Sequence, residues 1–183
     1  MPNDDSVAKS AYHEAGHVVV ALHYDLIVDG ASIVPNAEKE RLAHASLRYR
    51  LPTLEQYHSL PSESRDAEYP EVRGFCRTLA AGGIATNLHN AEWGRSGNEN
   101  DQNIMHDVIC EFILGGSGPQ IAPILERQEI ERETAELLKR PDIEKAVAFV
   151  AEALIEHKTL AGGLWEECRD NALRIIGKTP PAV

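Results

Sequence analysis

The sequence predicts a mainly α-helical protein with a small β element. Several long segments carry apolar residues at the i, i+3, i+4 spacing of amphipathic helices, whereas only two short segments alternate apolar and polar residues as strands do. With 183 residues, 43% of them apolar, the chain can bury one core without disulfides. We expect residues 1–118 to form the core that carries the candidate site and residues 119–183 a helical tail packed on the same domain.

The first predicted helix begins at an N-cap, either Asp5 or Ser6, and extends to about His23. The Asp29-Gly30 pair then breaks the pattern. Two strands joined by a loop are predicted next, over residues 31–35 and 43–50.

The rest of the chain predicts helices separated by loops. Residues 52–70 are rich in Pro, Ser, Glu and Asp and predict a loop, after which a second long helix follows Pro70. A third helix is expected after the polar stretch 90–100. The predicted tail helices cover about 119–139, 142–158 and 163–176.

The composition limits the classes of binding partner and the cellular compartment that we expect. The 18 basic and 29 acidic residues give a net charge of −11, which disfavours binding to nucleic acid or to anionic lipid. Three widely spaced cysteines suit reduced thiols better than a disulfide framework. The N-terminus lacks the basic patch and apolar run of a signal peptide, and the longest apolar run is too short to span a bilayer. We therefore expect a cytoplasmic protein without a membrane segment.

The sequence His13-Glu14-Ala15-Gly16-His17, inside the first predicted helix, has the HExxH pattern. Four residues advance a helix by about 400°, so the two histidines lie about 40° apart around the axis and about 6 Å apart along it. Both imidazoles can therefore bind one zinc ion, and the glutamate can act as a base on a water beside that ion. The alternative is an ordinary polar helix face, but the small residues within the motif and the apolar turn after it favour a metal site.

Two histidines leave a zinc site incomplete. Glu38 and Glu40 lie in the predicted loop between the strands, not on a second helix that could face the first. His23 would lie about 120° from His17 around the helix axis, so we expect it to be a surface or packing histidine.

Several segments resemble, in the same order, the peptidase domain of the FtsH-type ATP-dependent zinc proteases. The HExxH helix matches the metal-binding helix of that family. The other matching segments are Ser32-Ile33-Val34-Pro35, His44-Ala45-Ser46 to Leu51-Pro52, Leu79-Ala80-Ala81-Gly82-Gly83-Ile84-Ala85 and Ser96-Gly97-Asn98-Glu99-Asn100-Asp101. The resemblance covers about residues 7–115 well and the tail more loosely, and it implies the helical zincin fold of that peptidase domain.

The resemblance also implies a third zinc ligand. In the family, the aspartate of the last of these segments binds zinc, and that position corresponds to Asp101 at the predicted start of a helix, where the macrodipole favours a carboxylate. The implied site has His13, His17 and Asp101 as ligands and Glu14 as the catalytic base. Competing third ligands in this chain are His89, Glu92 and His106.

The chain departs from the family at several positions. Ile84 stands where the family has an arginine, Asn87 and Leu88 stand where it has acidic residues, and Ser46 replaces a glycine of the substrate-edge strand. A GxxxxGK[ST] phosphate loop does not occur in the sequence, because Ala172 precedes Gly177-Lys178-Thr179 where the first glycine should be.

These observations lead to an expected function. We expect a zinc metalloendopeptidase that hydrolyses peptide bonds in unstructured polypeptides without an ATP-driven unfoldase of its own. Its partners would be an unfolded protein or peptide substrate, with a homo-oligomer or a separate ATPase as further possibilities and no nucleic acid. The alternative is a catalytically silent binding or scaffold module that retains the metal site.

Overall fold

The computed structural model describes residues 4–35, 43–48, 51–93, 99–115 and 121–180. Within them the protein is mainly helical, with one small three-stranded antiparallel sheet, which confirms the predicted fold class at that level. The elements are α1 (Asp4–His23), β1 (Ile27–Ser32), β2 (His44–Arg48), α2 (Leu54–His58), α3 (Ser62–Glu68), α4 (Pro70–His89), α5 (Glu99–Val108), α6 (Ala122–Leu138), α7 (Pro141–His157), β3 (Thr159–Leu160) and α8 (Gly162–Ile175). A short 3₁₀ turn covers Ala91–Trp93, and a π-helical turn, Ile109–Ile113, continues α5.

Helix α1 is the central element of the core. It packs against α4 on one side and α7 on another. Its residues Val18, Val19 and Val20 are completely buried, although three successive β-branched residues are poor helix formers. Burial between two helices outweighs that weak propensity and keeps the segment helical.

Helices α1 and α4 approach each other closely at Gly16. A Cβ atom at this position would lie 2.8 Å from the backbone oxygen of Ala81 and 2.7 Å from the Cβ of Ala85. The small residues of α4 and the glycine of α1 therefore let the two backbones meet almost directly. This crossing places the HExxH motif against the glycine-rich segment of α4.

The three strands are ordered β2-β1-β3, and both neighbours of β1 are antiparallel to it. The prediction that the first strand covers residues 31–35 is wrong, because the strand begins at Ile27 and ends at Ser32. The Asp29-Gly30 pair does not break the strand. It forms an irregularity in the register, where Gly30 has a φ of 153° and the backbone oxygen of Leu160 occupies the space that a Cβ would need.

The segment between the sheet and α4 also differs from its prediction. Residues 52–70 are not a continuous loop, because α2 and α3 lie within them. Helix α2 begins with a capping box in which Thr53 and Gln56 exchange hydrogen bonds. Helix α3 buries no side chain, so it carries no apolar periodicity from which the sequence could have predicted it.

The start of α1 also differs slightly from its prediction. Asp5 and Ser6, the predicted N-caps, both lie within the first helical turns, since α1 already includes Asp4. At the other end of the helix, Lys178 donates from Nζ to the backbone oxygen of Leu22 at 3.2 Å and to Asp25 at 2.7 Å. The last carbonyls of α1 are thus capped by the C-terminal segment of the chain.

The C-terminal residues contact the N-terminal part of the protein in several places. Helix α7 packs on α1, β3 pairs with Ala31 and Ser32 of β1, and Trp165 of α8 donates from its indole nitrogen to the backbone oxygen of Val28 at 3.0 Å. Trp165 is buried. None of the helices in the described ranges is long and apolar enough to cross a bilayer.

The close crossing of α1 and α4 makes a testable prediction. Replacing Gly16 with Ala should lower the free energy of unfolding by about 1–3 kcal/mol, because the added methyl group would force the two helices apart. The matched control is Gly163→Ala in α8, where an added Cβ meets no atom within 4 Å. This control should be neutral or stabilising by up to about 1 kcal/mol. Urea denaturation of both metal-free variants measures the difference, and equal stability of Gly16→Ala and wild type would contradict the packing described here.

Candidate metal centre

Two helices, α1 and α5, bring the predicted ligands together. His13 and His17 lie one turn apart on α1, and Asp101 lies in the first turn of α5. The Nε2 atoms of the two histidines are 3.0 Å apart. Asp101 Oδ2 lies 3.2 Å from His17 Nε2 and 3.7 Å from His13 Nε2. Among the described residues, these three side chains form the group that could hold a metal ion.

The spacing of the three donor atoms fits zinc. A tetrahedral ion with bonds of about 2.0–2.1 Å holds neighbouring ligand atoms roughly 3.3 Å apart. The three separations of 3.0, 3.2 and 3.7 Å bracket that value. The side chains are also largely shielded, with exposed fractions of 12% for His13, 7% for His17 and 15% for Asp101. One side of the group therefore remains accessible from outside.

A backbone carbonyl of α4 orients His17. Its Nδ1 lies 2.6 Å from the backbone oxygen of Thr78, and because a carbonyl only accepts, Nδ1 carries the proton. When the ring is neutral, the lone pair is therefore on Nε2, the atom that faces His13 and Asp101. This arrangement is typical of histidines that bind metals through one ring nitrogen while the other is fixed by a hydrogen bond.

Gly82 of α4 provides the space in which the imidazoles meet. A Cβ at this position would lie 2.5 Å from His17 Nε2 and 2.8 Å from His13 Nε2. Any larger residue would therefore occupy the position of the donor atoms. The glycine-rich segment of α4 serves the site as well as the helix crossing.

Asp101 is an acidic group held in its charged form. Its Oδ2 atom is buried, and within the described residues no hydrogen bond with good geometry reaches it. Burial alone would raise the pKa of Asp101, but the two adjacent imidazoles outweigh burial and hold it well below its ordinary value. A buried carboxylate whose neighbours are two imidazole nitrogens is a group suited to binding a cation.

The pKa values of the two histidines shift in opposite directions, although both side chains are largely shielded from solvent. Burial lowers the pKa of His13, and the nearby Asp101 only partly offsets this. Burial also acts to lower the pKa of His17, but the carboxylates of Asp101 and Glu14 outweigh it and raise the value to about 9. A bound cation would replace the proton of His17.

Glu14 is a buried carboxylate on the same helix, with an exposed fraction of 3%. Its charge contributes to the raised pKa of His17, so the carboxylate lies within electrostatic range of the metal ligands. The structure thus places near the three candidate ligands an acidic residue that is not one of them.

The competing ligands lie elsewhere. His89 is exposed and stacks on Tyr12, with 3.5 Å between ring centroids, and Glu92 is exposed in the 3₁₀ turn. His106 is exposed on α5 and contacts Cys110 at 3.5 Å. His23 is half-buried near the end of α1 and packs edge-on against Tyr24. The two glutamates considered as ligands, Glu38 and Glu40, lie outside the described residues.

Comparison with known proteins adds no family assignment. Neither a protein-family model nor a curated protein matches this chain. The resemblance to FtsH-type peptidases therefore rests on the motifs alone and stays an interpretation.

Two residues that support the site were not singled out from the sequence. Thr78 acts through its backbone oxygen, which no side-chain pattern can reveal. Gly82 was visible as part of a Gly-Gly pair inside a predicted helix, a position where glycine is costly and usually has a packing or functional reason.

The assignment of Asp101 is tested by removing its carboxylate. Asp101→Ala should lower zinc affinity at least tenfold, because one of three protein ligands is lost. Asp107→Ala removes an exposed carboxylate from the same helix and should leave affinity unchanged. Competition with a chromogenic chelator measures both. Wild-type zinc affinity in Asp101→Ala would contradict the assignment and favour His89, Glu92 or His106.

Proposed function

We propose that this protein is a zinc metallopeptidase that hydrolyses peptide bonds in unstructured polypeptides. The observation that carries the proposal is the convergence of His13, His17 and Asp101 at zinc-like spacing beside the buried carboxylate of Glu14. A purely structural metal site has no use for a buried base beside its ligands. The HExxH motif and its surroundings therefore support a catalytic interpretation over a structural one.

Each residue has a separate role in this proposal. His13, His17 and Asp101 would hold the zinc ion, which when bound supplies a Lewis acid and lowers the pKa of a coordinated water. Glu14 is the general base: a carboxylate oxygen accepts a proton from the attacking water and returns it to the leaving amine nitrogen. The hydrogen bond from His17 Nδ1 to Thr78 fixes the imidazole in the orientation that metal binding requires.

The sheet offers a place for an extended substrate. Strand β2 lies at one edge of the three-stranded sheet, and four of its five residues are only half-buried. An edge strand can pair through its backbone with an extended polypeptide. A folded protein has its backbone hydrogen bonds already satisfied, so the preferred substrates are unfolded proteins and peptides. We infer that cleavage of such substrates requires no ATP.

The effect of replacing Glu14 distinguishes the proposed enzyme from a catalytically silent scaffold. Glu14→Gln preserves the size of the side chain and removes its basicity, so zinc content and melting temperature should change little. Hydrolysis of fluorescein-labelled casein by the zinc-loaded variant should fall by about a hundred- to ten-thousandfold, the range that general acid–base catalysis supplies. Glu156→Gln, which changes an exposed glutamate of α7, should retain wild-type activity.

Two results would contradict the proposal. Wild-type hydrolysis by Glu14→Gln would exclude Glu14 as the base. A zinc-loaded wild type that cleaves neither casein nor peptides, and that loses its zinc when a chelator is added, would instead support the catalytically silent binding module.

A further inference from the structure

A small cavity lies directly beside the candidate metal centre. It has a volume of about 80 Å³, and the metal ligands His13 and Asp101 form part of its wall. Its floor is apolar, with Leu79, Ile84 and Met105 all buried. The cavity is therefore a place where part of a substrate would rest while its peptide bond faces the metal.

A second, more open cavity continues from the first. It has a volume of about 250 Å³ and is lined by His106 of α5 and by residues of α6 that include Ile124. Arg127 and Glu131 line both cavities. Because they share these two residues, the two cavities adjoin each other, and we call them together the α5–α6 groove.

The two charged residues of α6 that line both cavities form an ion pair. Arg127 Nε donates to Glu131 Oε1 at 2.8 Å, across one turn of α6. Arg127 is 34% exposed and Glu131 18% exposed, so both side chains are accessible from the groove. A neutral ion pair gives no general preference for a charged substrate segment.

The outer end of the groove is apolar and exposed. Ile124 is 55% exposed there, and its neighbours Ile121 and Leu125 are 58% and 56% exposed. Helix α6 is fixed against α4 by ion pairs from Arg73 to Glu126, at 2.7 Å, and from Arg77 to Glu133. These apolar side chains are therefore presented on a well-anchored helix at the end of a groove that starts at the metal ligands.

We propose that the α5–α6 groove binds the substrate chain on one side of the scissile bond, and that Ile124 holds an apolar side chain of the substrate. This inference rests on the proposed function. Ile124 and Glu131 are seven positions apart on α6, which corresponds to about 10 Å along the helix. An extended chain covers that length in about three residues. Glu131 lines the cavity beside the metal ligands, so the length from Ile124 to the metal is at least this long. The substrate class is an unfolded polypeptide with an apolar residue three or more positions from the bond that is cut.

The first test of the proposed groove is the position of the peptide bonds that are cleaved in casein. Zinc-loaded wild type digests unlabelled casein, and mass spectrometry of the products identifies the bonds cut. Apolar residues should be enriched at one position, three or more residues from the cut and on one side only. Ile124→Ser should lose this enrichment while cutting at the same rate at saturating casein, because the change removes binding rather than chemistry. An unchanged distribution of cuts in Ile124→Ser would overturn the proposal.

The KM for casein provides a second test of the proposed groove. Ile124→Ser should raise the KM for fluorescein-labelled casein about five- to tenfold, with kcat unchanged. The matched control is Ile155→Ser, which changes an exposed isoleucine of α7 that lines neither cavity and should leave KM unchanged. Both substitutions are at exposed positions, so both variants should fold like wild type. Equal KM values for the two variants would contradict a role for the groove.

A binding experiment separates failure of the groove from failure of the proposed function. Zinc-loaded Glu14→Gln is titrated into fluorescein-labelled casein and binding is followed by anisotropy, with and without Ile124→Ser. Weaker binding of the double variant supports the groove even if no variant hydrolyses casein. Equal binding combined with normal hydrolysis by wild type would overturn the groove and leave the proposed function intact.

Discussion

Helices α1 and α4 cross at a distance that leaves no room for a side chain at Gly16 or Gly82, and the candidate site depends on this constraint. The same approach brings the backbone oxygen of Thr78 within hydrogen-bond distance of His17. It also leaves a space in which two imidazoles meet a carboxylate from α5. Packing of the core and positioning of His13 and His17 are therefore consequences of one helix crossing.

In the metal-free site one cationic histidine faces two carboxylates, Asp101 and Glu14, and this surplus of negative charge favours binding of a metal cation. In the metal-free protein the cationic His17 faces the anionic Asp101. The pKa of His17 is raised to about 9, so its contribution to stability is complete below about pH 6.5 and is lost as the pH rises through 9. The pKa of Asp101 is lowered, so its contribution is present above about pH 4 and is lost as the pH falls through the lowered value. Zinc can take the place of the proton without leaving either group unpaired.

The sequence predicted the long elements and the candidate ligands because their signals are local. The HExxH spacing follows from helix geometry, and α4, α7 and α8 follow from apolar periodicity and from Pro or Gly at their ends. Asp101 was reached through motif resemblance, and the structure places it beside the two histidines. The coarse fold class was predictable for the same reason.

What the sequence did not predict depends on contacts between distant residues. The glycine at position 30 of β1 is explained by the distant strand β3, because the backbone oxygen of Leu160 occupies the space that a Cβ would need. Helix α3 has no buried side chain to create a pattern. Cysteine burial also depends on tertiary contacts, since Cys76 and Cys168 are buried whereas Cys110 is half-buried and lies near His106. The α5–α6 groove joins residues of α1, α4, α5 and α6, so no single segment could indicate it.

The most direct test of this account is the X-ray absorption spectrum of the zinc-loaded protein at the zinc edge. A site formed by His13, His17 and Asp101 predicts only nitrogen and oxygen neighbours of the zinc at about 2.0–2.1 Å, with the outer-shell scattering of two imidazoles. It also predicts that Asp101→Ala changes this first shell while Asp107→Ala does not. A sulfur neighbour at about 2.3 Å would instead place the zinc at Cys110 and His106, and would contradict the proposed metal centre.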